Sequence, residues 1–151
     1  MYTSCIARPL FSFLLSATAL TIVSCASGPT YAEVKPKLPP IAKGQGRVFV
    51  YRPSSFGFGV KPDVKIDKKV IGTSEGNGFM YSDQTAGSHE ISIATEWNHK
   101  RQISVTAGQP CFVECSITPG LLVAHVTPSL VWAGTGESNI QECKMTKAAS
   151  E

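Results

Sequence analysis

The feature that most constrains the fold is a series of short β-type runs separated by turn residues. Residues 63–67 alternate polar and apolar side chains with a period of two, which is typical of a strand with one buried face. Glycine, proline and asparagine stand between the runs, and these residues favour turns. This spacing predicts an all-β fold, an antiparallel sandwich or barrel, and we favour a single small antiparallel β-sandwich of the immunoglobulin type. The predicted strands lie within residues 47–52, 63–67, 70–72, 79–81, 89–94, 103–106, 111–118 and 121–126.

Two local features refine this prediction. Residues 67–69 form a predicted tight turn, so the runs on either side of it should pair as a hairpin. Residues 135–143 have a helical pattern, because Thr135 can cap the first turn while Ile140 and Cys143 lie on one face. We therefore expect a short C-terminal helix beside the sandwich.

Residues 1–24 are typical of a lipoprotein signal peptide. Arg8 precedes an apolar run over residues 10–23, which is too short to span a bilayer comfortably because a spanning helix needs ~20 apolar residues. The run ends in Ile-Val-Ser-Cys at 22–25, which resembles a bacterial lipobox, and Cys25 is the candidate lipidation site. The alternatives are an uncleaved transmembrane anchor, and ordinary cleavage with Cys25 as a bystander.

The rest of the chain divides by composition. Residues 25–44 read as the lipidated cysteine and a proline-rich tether, which should be semi-extended and solvated at ~3 Å per residue. Residues 45–146 have the length of one domain, and residues 147–151 read as a disordered tail. Ala26 stands after the cysteine rather than aspartate. In the enterobacterial sorting pattern, which this segment resembles, that residue implies the outer membrane, with the domain facing the periplasm.

The cysteines after Cys25 predict a disulfide bond, because an exported chain lies in an oxidising compartment. Cys111 and Cys115 are four residues apart on one face of a strand, hence ~13 Å apart and too distant to bridge each other. Cys143 must then be the partner of one of them. We favour Cys115 with Cys143 and keep Cys111 as the alternative. The unpaired cysteine should lie on the inward face with Val113.

The sequence gives no support for catalysis, a cofactor or a metal site. His89, His99 and His125 are separated by turns, and none stands in a nucleophile, zinc or nucleotide-binding motif. The 14 lysines and arginines against 11 acidic residues form no basic stripe, so we do not expect nucleic acid as a partner.

Loop aromatics are the candidate binding residues. Phe56 and Phe58 lie in a glycine-rich loop, and Trp97 lies in another predicted turn. Exposed aromatics on loops can mark recognition sites. The alternative is that the rings fold back and cap the end of the sandwich. Binding predicts that the changes Phe56→Ser and Phe58→Ser leave stability nearly unchanged, whereas capping predicts a large loss.

Several motifs resemble the DUF2846 family of bacterial lipoproteins. The resemblance covers nearly the whole domain and rests on structural rather than chemical motifs, with Lys69 in place of a glycine often found in the hairpin turn. It implies a small sandwich similar to PEGA-type modules of the envelope, with an undefined biochemical role. The matching segments are residues 46–53, 64–67 with 71–72, 86–91, 107–110 with 112–113, and 140–144.

Together these features predict a membrane-anchored envelope lipoprotein that is not an enzyme. Its β-sandwich would bind or scaffold another envelope component, with the membrane as partner through the N-terminal lipid and an envelope protein as a second partner. The alternative function is a small hydrolase or inhibitor module acting on envelope polymers. A close carboxylate–histidine pair in an open cleft would favour that alternative.

Overall fold

A computed structural model describes residues 26–146, in which two β-sheets pack face to face. The helices are α1 (Tyr31–Val34), continued by a 3₁₀ turn (Lys35–Lys37), and α2 (Ala133–Asn139). The strands are β1 (Gln45–Arg52), β2 (Asp63–Ile66), β3 (Lys69–Thr73), β4 (Gly78–Thr85), β5 (Gly87–Ala94), β6 (Asn98–Val105), β7 (Pro110–Thr118), β8 (His125–Val131) and β9 (Lys144–Met145).

The sheet order confirms the all-β sandwich with a short helix. One sheet has five strands in the order β8-β7-β1-β4-β9, and the other has four in the order β3-β2-β5-β6. The sandwich is not wholly antiparallel, because β1 pairs with β7 and β4 with β9 in parallel. Parallel neighbours need a crossover connection, and the chain between β1 and β7 supplies it because β2, β3, β5 and β6 lie in the other sheet.

The hairpin between β2 and β3 is confirmed, and the backbone defines its turn. Asp67 and Lys68 have φ values of 48° and 71°. Two central residues with positive φ are the mark of a type I′ turn, whose twist matches that of the flanking strands. Lys69 is already the first residue of β3, so the position where a glycine is often found needs no positive φ here.

The main core lies between the two sheets and is mostly aliphatic. β7 sends alternate side chains into it, among them Val113 and Cys115, as the sequence predicts. The buried residues of this core are Val48, Val50, Val64, Ile66, Met80, Ile91, Ile93, Ile103, Val105, Val113, Cys115 and Val126.

A second, aromatic cluster covers the outer face of the five-stranded sheet. Strand β1 is therefore buried on both faces from Gly46 to Arg52, which accounts for its continuous run of large side chains. The N-terminal segment and α2 close this cluster from outside. Its buried members are Tyr31, Phe49, Tyr51, Phe79, Phe112, Ile140 and Cys143.

The prediction of a wholly solvated tether needs correction, because Ala26 is buried and Tyr31, Val34 and Leu38 pack on the outer cluster of the sandwich. Tyr31 is 1% exposed, and its ring meets Phe49 and Phe79 edge-on at centroid distances of 5.3 and 5.5 Å. The Tyr31 N–H donates to the Cys143 carbonyl at 2.8 Å. The folded unit thus includes Ala26 and Tyr31, upstream of the predicted boundary at residue 45. The signal peptide, Cys25 and the predicted tail at 147–151 lie outside the described residues.

Helix α2 is shorter than predicted and begins earlier. Trp132, not Thr135, is its N-cap residue, and the helix ends at Asn139. Lys144 pairs with Gly78 in the sheet, so the chain must leave the helix before Cys143. Gly136 brings α2 against the Phe112 ring, because a Cβ atom there would lie 2.4 Å from the ring's Cγ.

The predicted disulfide is not formed. Cys111, Cys115 and Cys143 all carry free thiols. Cys115 points into the inter-sheet core while Cys143 belongs to the outer cluster, so the five-stranded sheet separates them, and Cys111 packs on the same side as Cys115. Burial raises the pKa of the Cys115 and Cys143 thiols to about 12, so neither has thiolate character at neutral pH.

Candidate binding surface at one end of the sandwich

Three loops meet at one end of the sandwich. They join β1 to β2 (residues 53–62), β5 to β6 (95–97) and β7 to β8 (119–124). β1 and β7 are parallel and so finish at the same end, and β5 finishes where its antiparallel partner β2 begins. These loops carry exposed apolar side chains. We call this set the apolar tip: Phe56, Phe58, Trp97, Leu121, Leu122 and Val123.

The predicted binding aromatics are exposed in the structure. Phe56, Phe58 and Trp97 are 62%, 58% and 68% exposed, so more than half of each residue faces solvent. Sequence reasoning missed Leu121 and Leu122 because it placed them in a strand. Strand β8 instead begins at His125, and the preceding Pro-Gly turn is the signal that the loop extends further.

Arg52 holds the first loop of the tip. It is the last residue of β1 and is 1% exposed, with its guanidinium turned toward the loop that follows. Its Nη2 donates to the carbonyls of Phe56 and Gly57, and its Nη1 donates to the Val60 carbonyl at 2.8 Å. A guanidinium has five N–H donors, so one side chain can fix several loop carbonyls. No local pattern around Arg52 in the sequence indicates this role.

Glu96 holds the loop between β7 and β8. Its carboxylate accepts the backbone N–H groups of Leu121 at 3.3 Å, Leu122 at 2.5 Å and Val123 at 2.6 Å. The hydrogen bond from Val123 is the main cause that lowers the pKa of Glu96, and the bonds from Leu122 and Leu121 and the nearby His125 add to it. The tip's tryptophan follows Glu96 directly, so this contact ties two of the loops together.

The first and third loops also touch. Gly57 has φ +66°, and a Cβ atom on it would lie 3.3 Å from Cγ2 of Ile117 and 3.8 Å from Cβ of Ala124. The tip is therefore one connected surface rather than three separate loops.

Two histidines that are distant in sequence meet beneath the tip. The rings of His99 and His125 pack edge-on at 5.3 Å. His125 Nδ1 lies 3.3 Å from the Thr95 hydroxyl, and its Nε2 lies 3.4 Å from Glu96. This order of hydroxyl, imidazole and carboxylate resembles a hydrolase relay, but both contacts are at the long limit of hydrogen bonding and Glu96 already accepts three amides. The role that these contacts give Glu96 is to hold the loops.

His89 lies at the opposite end. Its Nδ1 is 2.6 Å from Asp67 Oδ2, and its Nε2 is 2.8 Å from the Thr85 carbonyl. Both ring nitrogens face acceptors, so the imidazolium form donates twice. The hydrogen bond to Asp67 is the main cause that raises the pKa of His89, followed by the one to Thr85.

Two charged side chains near the tip have partners. Lys61 Nζ lies 3.4 Å from Glu75 Oε1, and the Glu96 carboxylate accepts three backbone N–H groups. The apolar side chains of the tip therefore lie above charges that are already engaged within the protein.

Residues 26–146 contain neither a metal-binding cluster nor a membrane-spanning helix. In this part of the chain, no three histidine, cysteine or acidic side chains converge to hold a metal ion. Within the same residues, no helix has the length and apolar character needed to cross a bilayer.

Comparisons with known proteins give a family but no activity. The family described as "Protein of unknown function (DUF2846)" matches residues 42–128, which confirms the resemblance drawn from the motifs. An uncharacterized protein of Haemophilus influenzae is 31% identical over 104 residues, which are 68% of this chain and 62% of that protein. The match thus spans less than two thirds of the relative's length. No solved structure matches.

Proposed function

Since this chain belongs to the DUF2846 family of proteins of unknown function, we propose a function from its own surface. The protein is a membrane-anchored envelope lipoprotein, and its β-sandwich binds or scaffolds another envelope component without catalysing a reaction. The anchor is an acyl group such as palmitate on Cys25, and the location is the periplasmic side of the outer membrane. The lipobox-like residues 22–25 and Ala26 support the anchor and its location.

The observation that carries the binding role is the construction of the apolar tip. Exposed apolar area costs about 25 cal/mol per Å² relative to burial, so a folded protein gains by covering it. Arg52 and Glu96 nevertheless hold the loops so that large apolar side chains face solvent. A group of exposed apolar side chains on loops that are joined to one another is typical of an interaction site.

Site-specific photo-crosslinking in cells tests the binding role. A photoreactive residue replaces Trp97 in one strain and Trp132 in another, since both tryptophans are exposed and Trp132 lies at the other end of β8. We expect a discrete adduct with an envelope component from position 97 and none from position 132. Equal labelling from both positions, or none from position 97, would overturn the role of the tip.

Metabolic labelling with an alkyne-bearing fatty acid tests the anchor. The wild-type protein should be labelled and should fractionate with the outer membrane, whereas the Cys25→Ser protein should be unlabelled. Label that persists in Cys25→Ser, or its absence from the wild type, would overturn the lipoprotein assignment.

The hydrolase alternative is favoured by one observation, the arrangement of Thr95, His125 and Glu96. Purified wild-type protein would then release soluble fragments from isolated envelope polymers, and His125→Ala would not. Fragment release that depends on His125 would move the assignment to this alternative, and its absence favours the binding role.

A further inference from the structure

The chain enters the folded domain beside the apolar tip. Ala26 is 3% exposed, and its N–H donates to the Gly76 carbonyl at 3.2 Å. The next residue of that loop, Asn77, donates its N–H to the Ser54 carbonyl at 3.3 Å. Ser54 begins the stretch of the β1–β2 loop that carries the two phenylalanines of the tip. The first described residue is thus two hydrogen bonds away from the tip loop.

This placement leaves no spacer between the domain and residue 25. Consecutive Cα atoms are ~3.8 Å apart, so a chain anchored to the membrane at residue 25 is held at the end of the sandwich where Ala26 lies. An acyl group on Cys25 would bring this end, and not the end that carries Trp132, to the membrane surface. The docked N-terminal segment, which composition alone makes a long spacer, is what fixes the orientation.

The chemistry of the tip suits the boundary between lipid headgroups and acyl chains. Tryptophan is enriched at that boundary, and phenylalanine and leucine supply apolar area that can enter the acyl region. Charged side chains are costly there, but Lys61 is paired with Glu75 and Glu96 accepts three amide N–H groups. A charged protein partner would find few complementary charges on this surface.

We propose that the apolar tip docks into the lipid bilayer that carries the acyl anchor, so that the protein stands on the membrane by its loops. This inference rests on the proposed function, because the acyl group on Cys25 selects which end meets the membrane. It names the bilayer as the component that the tip binds. The opposite end, with Trp132 and the groove beside Arg101 and Gln109, then faces away from the membrane.

The two tryptophans make a matched pair of probes. Trp97 lies in the tip, and Trp132 follows β8, whose seven residues separate the two ends by roughly 20 Å. The variant Trp132→Phe leaves Trp97 as the sole tryptophan, and the variant Trp97→Phe leaves Trp132 as the sole tryptophan. Each full-length protein is produced in cells so that it is processed there, then purified and reconstituted into vesicles of phosphatidylethanolamine and phosphatidylglycerol with brominated acyl chains.

Bromine on the acyl chains quenches only tryptophan that reaches the lipid. We expect Trp97 to emit at shorter wavelength and to lose about half of its emission or more, while Trp132 keeps its emission and stays accessible to aqueous acrylamide. Equal emission from Trp97 in brominated and ordinary vesicles would overturn the proposal. Trp97 that is shielded from acrylamide but not quenched by bromine would also overturn it, because a protein partner or a second copy would then cover the tip.

A second variant separates docking from folding. Leu121 and Leu122 are almost fully exposed, so Leu121→Ser with Leu122→Ser should unfold at the wild-type denaturant midpoint. On the Trp132→Phe background these changes should return Trp97 emission toward that of a water-exposed indole. Unchanged quenching of Trp97 would show that the loop does not contribute to docking.

The mass of the N-terminal peptide distinguishes a failure of the lipoprotein assignment from a failure of the docking proposal. A peptide that carries acyl chains, together with an unquenched Trp97, would leave the lipoprotein intact and overturn only the docking of the tip. A peptide without acyl chains would overturn the lipoprotein assignment. Quenching of Trp97 would then still support contact between tip and bilayer, and its absence would overturn that contact too.

Discussion

The two ends of the sandwich use the same kinds of group for different purposes. At the apolar tip, the Glu96 carboxylate accepts three backbone N–H groups from a loop about 25 residues further along the chain. At the far end, Asp67 Oδ2 lies 2.6 Å from His89 Nδ1, and Asp67 Oδ1 accepts the Glu90 N–H at 3.0 Å. The first arrangement positions a loop that has no regular structure. The second joins a tight hairpin turn to the adjacent strand.

This difference explains how apolar side chains can stay exposed at one end. Arg52 and Glu96 hold the tip loops through their backbone groups, so the position of these loops does not depend on buried apolar side chains alone. The far-end turn already has a favourable type I′ backbone, and its carboxylate–histidine contact adds to a geometry that forms locally. Loops held by backbone-directed charges leave their surface available for binding.

Among changes at the two ends of the sandwich, the largest expected effect on stability is that of Arg52→Met. Removing the guanidinium leaves the loop carbonyls of Phe56, Gly57 and Val60 without this donor. A fully buried acceptor left unsatisfied costs about 1–3 kcal/mol, and these carbonyls are partly buried, so we expect the free energy of unfolding to fall by about 2 kcal/mol. Urea denaturation measures it.

The control for this change lies at the far end. Trp132→Phe alters an exposed side chain and should change the free energy of unfolding by less than about 0.5 kcal/mol. If Arg52→Met changed the free energy of unfolding as little as Trp132→Phe does, the loop would not depend on the buried guanidinium.

The far end should respond to pH in a defined direction. The raised pKa of His89 means that its contribution to stability is fully present below pH 6.5 and is lost as the pH rises through the folded-state pKa. The pKa of Asp67 is lowered, mainly by the Glu90 N–H and then by His89, so its contribution is present above 3.8 and is lost as the pH falls through the lowered value. The pair therefore stabilises the fold best between these values.

Asp67→Asn tests this pH dependence. It should lower the free energy of unfolding near pH 6 by about 1 kcal/mol or less, because Asp67 is half exposed. It should also flatten the loss of stability that the wild type shows above pH 6.5. Denaturation midpoints over a pH series measure both. An unchanged slope in Asp67→Asn would mean that His89 does not titrate against this carboxylate.

Much of the fold could be predicted because its signals are local. Period-two alternation located residues 63–67 as a strand, and the same rule put Val113 and Cys115 on the inward face of β7. The turn at residues 67–69 was equally visible, because the turn and its two strands are contiguous in sequence.

The parts that could not be predicted depend on contacts between distant residues. Tyr31 docks because Phe49 and Phe79 form a site for its ring on the outer face of the sheet, which composition cannot show. Cys115 and Cys143 fail to pair because that sheet stands between them. At the candidate site, the exposed aromatics followed from their loops, but the parts played by Arg52 and Glu96 required the structure.

The effect of Glu96→Gln should be local. The lowered pKa of Glu96 means that the carboxylate holds the Leu121–Val123 amides above pH 4.5 and releases them as the pH falls through the folded-state pKa. The neutral amide of glutamine binds these N–H groups less strongly. We expect faster hydrogen exchange at the three amides, measured by NMR, with little change in the denaturation midpoint.

A matched change at the other end of β5 gives the comparison for this variant. Glu90→Gln removes a partly exposed carboxylate that pairs with Lys100 at 2.9 Å and makes no contact with the tip. It should leave the exchange of the tip amides at the wild-type rate. Equal exchange in Glu96→Gln and Glu90→Gln would show that Glu96 does not hold the loop.

The smallest effect on stability is expected where the effect on binding is largest. Phe56→Ser with Phe58→Ser replaces two rings that are more than half exposed, so the free energy of unfolding should change by less than about 0.5 kcal/mol. Phe49→Ala, which removes a buried ring of the outer cluster, should cost about 3–5 kcal/mol in the same assay. If the tip variant stays stable and Trp97 loses its quenching by brominated lipid, the rings are exposed in order to bind. A loss of stability close to that of Phe49→Ala would mean that the rings cap the sandwich instead, and the contrast between the two ends would disappear.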